Sequence, residues 1–120
     1  MLKLVQCVKG KGDIDLLEFR HYWDEYRRRF EACLDEIGAT RIDFSTTLAV
    51  EDNLRLMVTR GTREPYDGMV EIYFEDPRAL RKALTDGRGQ HLLEELRAFQ
   101  EEFVDLQRST FFFAIDDAAQ

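Results

Sequence analysis

Cysteine is scarce: Cys7 and Cys33 are the only two, far apart and with no CxxC pair. That speaks against a disulfide framework and suits free, buried thiols in a reducing cytoplasm. Histidine is equally thin. His21 and His91 stand alone, with no Cys/His/Asp cluster at metal-ligand spacing, so no metal site is expected. Gly10-Lys11-Gly12 lacks the rest of any phosphate-binding pattern, and no dinucleotide fingerprint or nucleophile elbow is present. No stretch approaches the roughly twenty apolar residues of a bilayer span. The first apolar run is short and broken by Lys3 and Gln6, unlike a signal peptide. A basic surplus is missing too. The net charge of −7 argues against nucleic acid or an anionic membrane as partner. The one basic run, Arg27-Arg28-Arg29, lies among acidic residues on a predicted helix. It reads as a solvated helix face, with a phosphate patch as the alternative.

What remains is an ordinary globular composition. The 120 residues are 44% hydrophobic, without internal repeats or low-complexity segments. A chain of this length buries roughly two-thirds of its unfolded surface. One domain is expected over residues 1–116, followed by a short acidic tail at 117–120.

The stretch from Glu64 to Pro77 is the most informative. Pro65 and Asp67-Gly68 supply turn chemistry. Val70, Ile72 and Phe74 then alternate with Met69, Glu71 and Tyr73, the period of a half-buried strand. Asp76 suits a helix cap and Pro77 the first helical position. One face of this strand is wholly apolar. The other carries Glu71 beside Tyr73, and a carboxylate there needs water, a partner or a ligand.

Leu2 to Lys9 reads as a strand ended by Gly10-Lys11-Gly12. Asp15 with Glu18 forms a capping-box-like start. The following helix carries Phe19, Tyr22 or Trp23, Tyr26, Phe30, Cys33, Leu34 and Ile37 on one stripe, with Gly38 as its C-cap. Thr40 to Val50 reads as a second strand. Residues 51–64 predict one or two helical turns and then a long loop, the position of a lid or binding loop. A short helix follows Pro77, broken by Gly87 and Gly89. Another runs from His91 to Leu106, and Ser109 to Ile115 is the last strand. Phe111, Phe112 and Phe113 are consecutive, so at least one aromatic points away from the core. Asp105 and Arg108 are expected to pair at the turn before it.

The order β-α-β-β-α-β, with the second helical region split, predicts an α+β, ferredoxin-like fold with a four-stranded antiparallel sheet. Helices would cover one face. The other would carry Gln6 or Val5, Thr46 or Ser45, Glu71, Tyr73 and one or two of the phenylalanines. Such an aromatic face is rarely left in water. A second copy of the chain is the simplest cover, giving a homodimer.

Four segments resemble the EthD family of dimeric α+β barrel proteins. Leu17-Glu18-Phe19-Arg20-His21-Tyr22-Trp23 looks like its first-helix signature. Asn53 to Gly61 is similar to its N-x-x-L-x-x-x-R-G segment. Pro65-Tyr66-Asp67-Gly68, with Glu71, Tyr73 and Asp76, resembles its Tyr-Asp-Gly strand. Phe103-Val104-Asp105 with Arg108-Ser109 looks like its ending. The resemblance implies a homodimer with its two sheets facing each other and a cavity beside each sheet. Related dimeric barrels include polyketide cyclases, lactone isomerases, cofactor-free monooxygenases, aldoxime dehydratases and haem enzymes. Members often carry a histidine four residues after the first-helix tryptophan, and many carry another on the second strand. Here those positions hold Arg27 and Thr46, which speaks against histidine-ligated haem or metal, and no cofactor is expected.

Glu71 is the leading acid–base candidate, since a partly desolvated carboxylate moves protons near neutral pH. The alternative is an ion pair with a lysine or arginine across the sheet or dimer. Tyr73 or Tyr26 would hydrogen-bond a substrate oxygen, and Arg27 would stabilise its negative charge. Core packing for Tyr26, and a surface pair with Asp24 or Glu31 for Arg27, are the competing readings. The ligand is expected to be a small, mostly apolar or aromatic molecule between the first helix, the 51–65 lid and the sheet. Trp23, Phe44, Thr46, Met57, Tyr66 and His21 would touch it, although His21 also suits a plain solvent role. Three functions fit: a cofactor-independent cyclase, dehydratase or isomerase; a cofactor-free monooxygenase; and a non-catalytic, small-molecule-binding accessory dimer.

Overall fold

The elements run β1 (Leu2–Val8), α1 (Leu16–Ala32), β2 (Arg41–Thr46), α2 (Glu51–Arg60), β3 (Gly68–Phe74), α3 (Pro77–Thr85), α4 (Gly87–Gln100) and β4 (Thr110–Ile115). They are seen in a computed structural model that describes residues 1–48 and 50–116. The acidic tail expected at 117–120 lies outside the described residues. The strands form one antiparallel sheet in the order β2-β3-β1-β4. This is the ferredoxin-like arrangement expected from the sequence, with α2 added between β2 and β3.

Alternation fixes the two faces of the sheet. Gln6 pairs in register with Val70 and Phe111, and Leu4 with Ile72 and Phe113. These side chains, with Val8, Ile42, Phe44 and Thr46, lie toward the helices. Lys3, Val5, Cys7, Ser45, Met69, Glu71, Tyr73 and Phe112 share the open face by the same registers. Val5 and Ser45 therefore occupy the open face, and Gln6 and Thr46 do not. Of the three consecutive phenylalanines only Phe112 is on that face. Phe111 and Phe113 point the other way yet stay exposed, because the helices stop short of edge strand β4.

The core between sheet and helices is aromatic. Phe19, Trp23 and Tyr26 of α1 meet Phe44, Phe99 and Phe103 at ring separations of 5.2–6.5 Å, and Phe30 packs edge-on against Tyr26 at 5.5 Å. Each fully buried ring contributes about 1.5–3 kcal/mol through burial alone. One polar cluster interrupts this layer. Gln6 Oε1 accepts from Tyr26 Oη at 3.0 Å and from Gln100 Nε2 at 2.7 Å, so all three polar side chains are partnered.

Several boundaries differ from the sequence expectation, each for a local reason. The capping box of Asp15 and Glu18 forms as expected. However, α1 stops at Ala32, and the apolar stripe continues through turns that still bury Ile37; Gly38 adopts φ +74° there. Residues 51–60 make a ten-residue helix, closed by Gly61 at φ +65°. Gly87 and Gly89 do not interrupt the chain between helices; they form the first turn of α4, where the Asp86 carboxylate accepts from the Gly89 N–H at 3.2 Å. After Gln100 the chain turns away from the helix, so Phe103 packs inward and Val104 bridges Gly10. Among the described residues no helix is long and apolar enough to cross a membrane.

Candidate functional site

The C-terminal ends of β1 and β2, the start of β3 and the first turn of α1 meet at one pole of the sheet. Segment 61–67 crosses this pole and α2 stands above it. The crossing is tied at several points. Thr47 Oγ1 donates to the Tyr66 carbonyl, and the Thr47 N–H donates to the Asp67 carbonyl at 3.1 Å. Tyr66 Oη lies 2.7 Å from Thr110 Oγ1. The Asp67 carboxylate accepts from the Gly10 N–H at 2.7 Å, fixing the loop that leads into α1. Asn53 Nδ2 donates to the Leu48 carbonyl at 2.6 Å, tethering the start of α2 to the chain before it.

These ties leave a cleft of about 630 Å³ between α2 and the pole. Leu16, Leu48, Val50, Leu54, Met57 and Tyr66 give it apolar walls, and Thr46, Thr47 and Asn53 add neutral polar groups. Lys9, Glu64 and Asp67 bring charge to one side, and Glu51 adds a carboxylate at the start of α2. Lys9 Nζ lies 3.3 Å from Glu64 and 3.7 Å from Asp67, with its side chain only 14% exposed. No residue of α2 is buried, and Leu54, Leu56 and Val58 are largely exposed. The volume suits a small ligand, and the mix of apolar walls with a few polar groups is that of a binding cleft.

The residues singled out from sequence fall in four places. Thr46, Met57 and Tyr66 line this cleft. Trp23 and Phe44 lie behind it in the core, edge to face at 5.2 Å. His21 is exposed on α1. Arg27 is also on the outer surface of α1, with its guanidinium 3.3 Å from Asp24. Tyr26 is buried among aromatics, and its hydroxyl is engaged by Gln6. Burial pushes its phenol up, with the Gln6 hydrogen bond pulling the other way. Glu71 and Tyr73 are on the opposite side of the sheet, so the four catalytic candidates do not converge. Glu71 Oε2 is 2.7 Å from Lys3 Nζ and accepts from Tyr73 Oη at 3.4 Å. The Lys3–Glu71 hydrogen bond, more than charge alone, raises the Lys3 pKa above its ordinary value. Arg41 stacks on the Tyr73 ring, with Cζ 4.0 Å from the centroid. Nearby Cys7 is pushed up by burial and, secondarily, by Glu71. Among the described residues no group of three or more His, Cys, Asp and Glu side chains could hold a metal ion.

The EthD domain model matches residues 11–107, which span α1 to the turn before β4. The chain belongs to the EthD family. This EthD protein is also similar in fold to solved structures. An ethyl tert-butyl ether d (ethd) family protein of Bacillus halodurans superposes with a TM-score of 0.60 at 15% identity, over 97% of this chain and 98% of that one. A dimeric protein of unknown function and ferredoxin-like fold from Bacteroides fragilis gives 0.64 at 10% identity, over 96% and 95%. A dimeric ferredoxin-like protein of unknown function from Jannaschia gives 0.61 at 14%, over 96% and 98%. No curated protein sequence matches the chain.

Within this EthD domain the Tyr-Asp-Gly motif has structural duties. Tyr66 spans to β4, and Asp67 holds the β1–α1 loop. Gly68 is where Trp23 packs: a Cβ there would lie 2.6 Å from the indole. Its φ is not positive, so close approach and not turn geometry requires glycine. Lys9, Arg63 and Gln107 escaped the sequence reading. Arg108 was expected to pair with Asp105. Instead the Asp105 carboxylate caps the turn by accepting from the Gln107 N–H at 3.2 Å, and the Arg108 guanidinium lies 3.9 Å from Glu64.

Proposed function

We propose that the protein works as a homodimer that holds a small, mostly apolar, oxygenated metabolite in the cleft under α2. On that ligand it moves a proton without a cofactor, as a cyclase, dehydratase or isomerase does. The cleft carries this reading: a ligand-sized volume with mostly apolar walls and a few polar and charged groups. Such reactions need one positioned base or acid and one group that stabilises oxyanion charge. Asp67 and Lys9 are the groups that border the cleft in those roles. Asp67 is oriented by the Gly10 N–H, and Lys9 is half-sheltered beside it. Glu71, Tyr73 and Lys3 are assigned to the dimer interface. The dimeric state of the Bacteroides fragilis and Jannaschia proteins and the open face with Tyr73 and Phe112 support that assembly.

The test begins with mass spectrometry of the purified protein, to identify a co-purified ligand. Incubating that ligand with protein in D2O tests the chemistry. Turnover with deuterium gained or water lost is expected, and Asp67→Asn lowers it by roughly a hundredfold while the dimer persists. A ligand returned unchanged supports the second reading, a non-catalytic binding dimer. The ion pairs already made by Lys9 with Glu64 and Asp67 favour that alternative. A monomer at micromolar concentration overturns the assembly.

A further inference from the structure

The α2 cleft has a neighbour. A second cleft of about 660 Å³ lies on the other side of the Glu64-Pro65-Tyr66 ridge, and Lys9 lines both. Its walls hold three cations, Lys9, Arg63 and Arg108, against one carboxylate, Glu64. In a chain of net charge −7 this is a local inversion of sign. Glu64 is shared at 3.3 Å from Lys9 and at a loose 3.9 Å from Arg108, and its side chain is 68% exposed. Among the described residues Arg63 is in no ion pair. Lys9 is matched by Glu64 and by Asp67 at 3.7 Å, so the charge left largely unmatched is that of Arg63 and Arg108, beside a cleft with mostly apolar walls.

We propose that the ligand is a small amphipathic carboxylate, whose apolar body fills the α2 cleft while its carboxylate meets Lys9, Arg63 and Arg108 at the ridge. This rests on the reading of the α2 cleft as the ligand site. Lys9 is the hinge of the arrangement, since it lines both clefts. Two guanidinium groups suit a carboxylate, whose paired oxygens accept forked N–H donors. A polyanion such as a nucleotide is disfavoured: the surrounding charge is negative, and the adjoining cleft offers apolar wall. A single carboxylate on an apolar body satisfies both clefts at once.

The test compares octanoate with 1-octanol, which share a tail and differ in the head group. Each displaces neutral N-phenyl-1-naphthylamine from the purified protein at low salt, followed by fluorescence. Octanoate is expected to compete roughly tenfold or more better than octanol, the worth of charge-assisted hydrogen bonds. That advantage is expected to vanish in the Arg63→Gln/Arg108→Gln double variant and to shrink at about 0.5 M salt. Both arginines are at the surface, so circular dichroism should show the variant folded. Equal competition by the two probes, or an octanoate advantage that survives the double variant, overturns the carboxylate proposal and leaves the cleft intact. If the dye does not bind, or neither probe displaces it, both the cleft reading and the carboxylate proposal fall.

Discussion

Gln6 is the one buried side chain on the helix face of β1 that is polar, and two hydrogen bonds converge on its Oε1 from α1 and α4. Replacing Gln6 with Leu would keep the volume but strand the Tyr26 hydroxyl and the Gln100 amide. A loss of about 2–3 kcal/mol is expected, from the cost of buried unsatisfied donors, read as a lower midpoint in urea at unchanged slope. Tyr26→Phe removes one donor and leaves Gln100 bonded, so about 1 kcal/mol is expected at neutral pH. The same residue makes stability depend on pH. Burial raises its phenol pKa above the ordinary value, so the unfolded chain releases this proton first. Its contribution is full below the unfolded phenol pKa of about 10 and is lost as pH rises through it toward the folded value. Urea titrations from about pH 8 to about pH 11 should show a shallower alkaline decline in Tyr26→Phe than in the parent. An identical decline would mean that Tyr26 ionises as readily folded as unfolded.

At the scale of elements, β3 and α1 are locked through Gly68. A methyl group there would press on Trp23, whose ring is backed by Phe19 at 5.4 Å and Phe44 at 5.2 Å. Gly68→Ala should therefore cost about 1–3 kcal/mol, the usual penalty of overpacking, with a visible change in tryptophan fluorescence. No such lock holds α2. It has no buried residue, so its amides should exchange with solvent orders of magnitude faster than those of β1 and β3. Saturating octanoate should slow them, if the helix closes the cleft. The difference between these elements also marks what could be read in the sequence. β1, β3, α1 and α3 announce themselves because period, caps and burial agree in each, as in the capping box at Asp15 and Glu18. The length of α2 was obscured because its Leu54, Leu56 and Val58 keep no single buried stripe. The end of α1 was obscured for the opposite reason: Leu34 and Ile37 keep the helical period after the helix has stopped. The site was hidden more deeply. Lys9, Arg63 and Arg108 are far apart in the chain and meet only because β1, the α2–β3 segment and the turn before β4 share one pole.

For the whole molecule, the open sheet face is the surface assigned to assembly in the proposed dimer. Phe112, 45% exposed, pairs in register with Val5 at its centre, and Glu71 lies on the other side of Val5. In the proposed dimer Phe112→Asp places a carboxylate in that interface and should weaken association by roughly a hundredfold. Light scattering across concentration reads this directly, and far-ultraviolet circular dichroism should confirm that each chain stays folded. A variant as dimeric as the parent would move the interface elsewhere. The independence of α2 has a last consequence, for how such a protein changes over generations. Four of its ten residues, Glu51, Asn53, Leu54 and Met57, line the cleft and none is buried, so mutations there alter what fits while leaving foldability almost untouched. With the cleft as the proposed ligand site, selection can then retune ligand preference through a segment that is nearly neutral for stability, on a scaffold whose core tolerates little change.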